Sequence, residues 1–328
     1  MRACQPNQRL KRGGSAAHMK PITQADLARR YGYFLDFLDR SALLDRAAPA
    51  AAQVTPGSVA GYVEDLKHRV SSVTVYGSIH KLRRASELID PQRDFGWLAE
   101  LEKDLALDMR PRSKADRLIL TDVLVECGLT LMAEAEQSKS LSPLEQARQF
   151  RNGLMVALLA LHPIRLKNFA SLAIGRTIKE IDRHWWIVLS AKDTKENRTD
   201  ERQIDQALTA QFDRYLRIHR PKLVLGAAHS DALWLSSNTG LPMAYNSVAR
   251  AITETTRSTL GVELSPHMFR TSAASSAAIY AGDNPHLGSA LLHHRDPRVT
   301  EENYNRATSL SAASNYARIV RSHRTTAR

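Results

Sequence analysis

Cysteine is nearly missing from this chain. Of 328 residues only Cys4 and Cys127 carry thiols, with no CxxC or Cys/His cluster around them, which argues against a disulfide framework and a thiolate zinc site. The 12 histidines fall in no HExxH or comparable ligand pattern, so the expected chemistry uses no metal and no cofactor. Long apolar runs are missing too. Nothing approaches the roughly 18 to 20 residues that span a bilayer, and no apolar segment of a secretion signal follows the start, so a cytoplasmic protein with no membrane partner is expected. No internal repeat or low-complexity tract is visible.

Positive charge, in contrast, is plentiful. There are 46 Lys and Arg against 34 Asp and Glu, a formal +12 with a pI near 9.9, the electrostatic footprint of a nucleic-acid partner. The length suits two domains, one near a hundred residues and one near two hundred.

Residues 1–19 are basic, punctuated by Gly and Ser and without periodicity; they read as a disordered leader, with Met19 an alternative start. From Thr23 an approximate capping box with Asp26 opens a helix carrying Leu27, Tyr31, Phe34 and Leu38 at helical spacing. A second helix opens at Thr55-Pro56. A third runs from about Val73 with His80, Lys81, Arg83 and Arg84 on its outer side, either a phosphate-contacting face or a solvated one. A short fourth is marked by Trp97, Leu98, Leu101 and Leu105. These make a small all-α domain over 20–107. Residues 108–114 read as a basic linker, suited to tracking a DNA backbone or serving as an exposed hinge.

A long helix is expected over 115–137, with Cys127 a small buried hydrophobe. Another starts at Ser142-Pro143 and ends at His162 before Pro163; Arg165 follows at once. Strand-like composition then appears at 172–178, 184–190 and 202–204, predicting a small antiparallel sheet whose exposed turn carries Lys192 and Lys195. Helical patterns resume from about Gln206, including 244–260, 270–280 and a final segment after Thr308. The expected fold class is mostly α with a small antiparallel β-sheet: a helical N-terminal domain and a mixed α+β domain.

One stretch has a composition that packing alone does not call for. HMFRTSAASSAAIYAGDNPHLGSALLHHRDPRVTEENY, from His267 to Tyr304, sets His267, Arg270, His294 and Tyr304 in order. Donors and a nucleophile point to chemistry on a phosphate, with hydrogen bonds on the non-bridging oxygens and a tyrosine hydroxyl attacking phosphorus.

With Arg165 and the turn lysines added, the chain resembles the tyrosine recombinase, or phage integrase, family. HMFR matches its HxxR box, LLHHRDPRVTEENYNRA resembles the box written LGHxxxxxT…Y, and HPIRLKNFASL resembles the box around the first arginine. The resemblance covers a catalytic domain at 115–307, and 20–107 is similar to the family's DNA-clamping core-binding domain. It implies that Arg165 and Arg270 grip the phosphate with forked guanidinium groups and that Tyr304 is the nucleophile. A hairpin lysine, Lys195 in preference to Lys192, protonates the leaving 5′ oxygen, His267 assists proton movement and His294 hydrogen-bonds a non-bridging oxygen. The implied partners are double-stranded DNA and further copies of the chain, a dimer per site and a tetramer in synapsis; any accessory protein stays open.

Duller readings stand beside these. Arg165 could stabilise a helix C-terminus, the lysines could merely solubilise a turn, His267 could be a loop residue and His294 a core one. Tyr280, expected to pack on the same helix as Arg270, and Tyr316 in the tail compete with Tyr304. Asn168 stands where many relatives carry Glu, and His293 where they carry Gly, so a one-residue shift could exchange His293 and His294. The tail at 308–328, with Leu310, Ala313, Tyr316, Ala317 and Val320 at helical spacing, either docks on a neighbouring protomer or folds back. The expected function is site-specific cleavage and rejoining of DNA through a 3′-phosphotyrosine. The rivals are a type IB topoisomerase-like relaxase and an inactive DNA-binding regulator.

Overall fold

A computed structural model describes residues 2–5, 13–111, 117–194, 197–225, 230–281, 284, 286–293, 296–298 and 300. The chain divides into two compact units, Met1–Ser113 and Lys114–Arg328.

In the first unit α1 (Pro21–Arg40), α2 (Pro56–Arg69), α3 (Ser72–Ile89) and α4 (Gly96–Leu107) enclose a core of Phe34, Tyr62, Ile79, Leu82 and Leu98. Phe34 meets the Tyr62 ring edge-on with centroids 5.4 Å apart, a preferred aromatic geometry. Thr55 caps α2 reciprocally with Ser58. The Thr23–Asp26 box does not form, because α1 begins earlier, with Pro21 in its first turn, a position where the missing N–H costs nothing. Asp26 instead pairs with Arg29 and Lys81. Part of the expected leader packs as well: Ala16 is buried and Ser15 Oγ donates to the Leu88 carbonyl at 2.8 Å.

The basic cluster on α3 is largely neutralised within the unit. His80 Nδ1 lies 3.0 Å and Arg83 Nε 2.6 Å from the carboxylate of buried Glu102, and Arg83 also reaches Glu87. Burial pushes Glu102 up, but the hydrogen bonds from Arg83 and His80 outweigh it and leave the carboxyl below its usual range. Three of the four basic residues are thus structural partners, and Arg84 is exposed.

The second unit is built around α6 (Pro143–Leu161), capped reciprocally by Ser142 and Glu145 and buried on every side from Gly153 to Ala160, as a central helix must be. It packs on α5 (Thr121–Gln137), which starts at Thr121 rather than near 115. The helices touch at Gly128 and Gly153, where a Cβ on either would come within 2.7 Å of the other's carbonyl oxygen. Cys127 is buried, its thiol 3.2 Å from Thr259 Oγ1.

Among the described residues β1 (Ile178–Ile181), β2 (His184–Leu189) and β3 (Asp200–Gln203) form one antiparallel sheet in that order. The first strand lies later than its composition predicts. Gly175 turns the chain with φ +77°, so Leu172 and Ile174 pair with Leu233 and Asp231 outside the sheet, and β1 starts only at Ile178. Asp182 and Arg183, both at positive φ, form the two-residue β1–β2 turn that matches strand twist. Beyond β3, α8 (Gln206–Arg214), a π-helical turn at Tyr215–His219 and α9 (Arg220–Leu223) lead to α10 (Tyr245–Leu260), α11 (Pro266–Tyr280) and α12 (Leu287–Leu291). No described helix is long and apolar enough to cross a membrane.

Candidate active site

Arg165 stands at the N-terminus of the short helix α7 (Leu166–Ala170), after Pro163 and the end of α6. A cation there gains nothing from the dipole of α7 itself, although Arg165 also follows the C-terminus of α6 by a few residues. Its segment is anchored by Phe169, buried against Trp234, whose indole N–H donates to the Phe169 carbonyl at 2.8 Å.

His267 and Arg270 share α11 one turn apart, His267 exposed in the first turn and Arg270 4% exposed. His267 is therefore helical, not a loop residue. Arg270 Nη1 donates to the Pro163 carbonyl at 2.6 Å and Nη2 to the Leu292 carbonyl at 2.8 Å. One guanidinium thus ties α11 to the segment carrying Arg165 and to the turn entering His294. The fold gathers these motifs from positions more than a hundred apart in sequence.

His293 takes a left-handed conformation with φ 55°. Glycine adopts that region freely and other residues do so at a cost, which explains why the resemblance expects glycine at this position.

The β2–β3 hairpin is tied internally. Thr194 is buried; its hydroxyl donates to the Arg198 carbonyl at 2.7 Å and accepts the Arg198 N–H at 3.0 Å. Lys192 is exposed on the turn Ala191–Asp193 just before it. Lys195, His294 and Tyr304, together with Tyr316 and the tail, lie outside the described residues.

Tyr280 does not pack as expected. It is 61% exposed at the end of α11, its hydroxyl 3.4 Å from Asp122 Oδ1. Partial burial and the neighbouring carboxylate raise its pKa, which opposes phenolate formation and weakens it as a rival nucleophile.

Three features escaped the sequence reading. His162 is 7% exposed at the end of α6, its Nε2 buried and, among the described residues, without a hydrogen-bond partner. Burial, reinforced by the positive Arg202, lowers its pKa to about 4. Thr194 is another, and the pair Asp200 and Arg202 on β3 is the third. This pair carried no sequence signal, because DERQ forms a strand here without one apolar residue.

Among the described residues no group of three or more His, Cys, Asp or Glu could hold a metal ion. A groove of about 690 Å³ between α6 and α10 is lined by Arg148, Arg250 and Arg257, and another of about 800 Å³ runs along α5. Neither is lined by a candidate catalytic residue.

A mostly helical chain with a small antiparallel sheet, gathering basic residues from separate motifs, defines the class. The phage integrase family model matches residues 129–310, more than half of the chain, and the chain belongs to that family, the tyrosine recombinases. Solved structures similar to it include XerA recombinase, at 15% identity over 93% of this chain and 94% of that one, with a TM-score of 0.45. XerH site-specific recombinase, in a pre-cleavage complex with its difH substrate, is 13% identical over 95% and 98%, also with a TM-score of 0.45. No curated protein matches the sequence.

Proposed function

We propose that this chain is a site-specific recombinase that cuts and rejoins duplex DNA through Tyr304. The phenol attacks phosphorus, the 5′ oxygen leaves with a proton from Lys195 or Lys192, and a 3′-phosphotyrosine forms. A free 5′ hydroxyl from a partner strand reverses the step, so the bond energy is kept in the protein link. A tyrosine with an ordinary pKa near 10 needs nearby positive charge to attack; Arg165 and Arg270 supply it while their forks accommodate the charge that develops on the phosphate oxygens. His267 helps move the proton and His294 binds a non-bridging oxygen.

The observation that carries this reading is the bond from Arg270 to the Pro163 carbonyl, which brings the two arginine motifs together. The net charge of +12 and the basic groove between α6 and α10 suit a phosphate backbone. Unit one acts as the DNA clamp, and 115–307 does the chemistry. Copies assemble as a dimer on each site and a tetramer in synapsis, joined through the tail at 308–328. Deleting the residues after Arg306 leaves single-strand cleavage measurable and abolishes cooperative assembly on paired sites in a gel-shift titration; unchanged cooperativity contradicts the tail's role.

The function is tested by trapping protein on genomic DNA, digesting the DNA and sequencing what remains attached. Recurrent ends at one sequence support a site-specific recombinase. Scattered ends together with relaxation of plasmids lacking that sequence indicate a relaxase instead.

A further inference from the structure

On β3 the core-facing side is charged. Asp200 and Arg202 stand opposite Leu189 and Ile187 in the sheet register, and both of those neighbours are buried, so the pair occupies the inward face. Their side chains are 10% and 11% exposed. Arg202 Nε donates to Asp200 Oδ1 at 2.7 Å and Nη2 to Oδ2 at 2.9 Å, a two-pronged match. A buried ion pair is a poor source of stability compared with apolar side chains of similar volume. Arg202 makes one more bond: Nη2 donates to the Leu291 carbonyl at 3.0 Å.

Leu291 ends α12, and the next carbonyl, Leu292, is taken by Arg270. Two successive carbonyls at a helix C-terminus, where intrahelical donors run out, are therefore held by cations from two different elements. Immediately after them the chain turns left-handed at His293 and enters His294. Fixing two consecutive peptide planes fixes the turn as far as His293. Arg202 is also on the strand that closes the hairpin bearing Lys192.

We propose that Arg202, oriented by Asp200, is a positioning residue of the active site: with Arg270 it sets, from the β2–β3 hairpin, the C-terminal turn of α12, which in sequence immediately precedes the candidate His294. This rests on the recombinase reading above. Misplacing a reacting group by about 1 Å costs on the order of 10²-fold in rate, so loss of the contact should slow cleavage without weakening the hold on DNA.

The discriminating variant replaces both charges, Asp200→Val with Arg202→Met, which removes the contact and leaves no unpaired buried charge; Arg202→Lys keeps the charge without the fork. The full chain is assayed on a nicked duplex bearing the mapped cleavage site, with single-turnover adduct formation and DNA affinity measured separately. Hydrogen exchange is followed in the peptides 287–300 and 143–161. Expected are affinity within about twofold of the parent and adduct formation slowed roughly tenfold or more. Exchange should quicken in 287–300 alone, and Arg202→Lys should fall between the parent and the double variant. Adduct formation within twofold of the parent overturns the proposal, as does faster exchange in both peptides, which marks a general structural role. If the parent chain forms no adduct, the recombinase reading fails, while the exchange comparison still decides whether Arg202 holds the turn.

Discussion

His293 and His162 show how single residues record constraints that composition hides. The left-handed φ of 55° at His293 favours glycine, so His293→Gly should leave the unfolding midpoint unchanged or raised. His293→Val, β-branched and poorly suited to that region, should cost about 1–2 kcal/mol by denaturant titration. His162 is neutral in the fold, with a pKa near 4 against about 6.5 when unfolded. Below about pH 6.5 the unfolded chain takes up a proton that the native one refuses. The stability this group contributes is full above that value and is lost as the pH falls towards 4, up to roughly 3 kcal/mol for a shift of this size. His219, whose pKa burial also lowers, adds in the same direction. A His162→Phe variant should flatten the pH dependence of the chemical-denaturation midpoint between pH 6.5 and 4; an unchanged slope contradicts the assignment. The residues of the HxxR box were legible because their chemistry is distinctive. Arg202 was not, since one arginine in a short polar strand looks like solvent-facing charge until the sheet register turns it inward.

At the level of elements, the helices that the pattern located well are those with apolar periodicity and a proline or capping residue at the start, such as α2 and α6. The elements that shifted were governed by backbone conformation rather than by side-chain pattern. β1 was displaced by Gly175, and on α3 His80 and Arg83 found their partner in Glu102, a residue on the next helix that no local pattern connects to them. The α5–α6 crossing is of the same kind: Gly128 and Gly153 are unremarkable in sequence and indispensable in space. Gly153→Ala would set a methyl against the Gly128 backbone, and since neither backbone can yield cheaply, a loss of about 1–3 kcal/mol or more is expected. Equilibrium unfolding in urea checks this, and a loss below about 0.5 kcal/mol contradicts so close an approach.

For the whole molecule, the described residues join segments far apart in sequence through backbone carbonyls. Arg270 joins Pro163 to Leu292, and Arg202 joins β3 to Leu291. The segment carrying Arg165 is thereby coupled, through Arg270, to the turn that ends α12. The central claim is that Tyr304 forms the covalent link to DNA, and it is tested most directly with a nicked duplex bearing the mapped site, from which the cleaved fragment escapes. The account predicts that the parent chain accumulates a denaturant-stable adduct whose modified peptide contains Tyr304, and that Tyr304→Phe binds the duplex with similar affinity and forms none. An adduct that persists in Tyr304→Phe, or one mapped to Tyr280 or Tyr316, contradicts it.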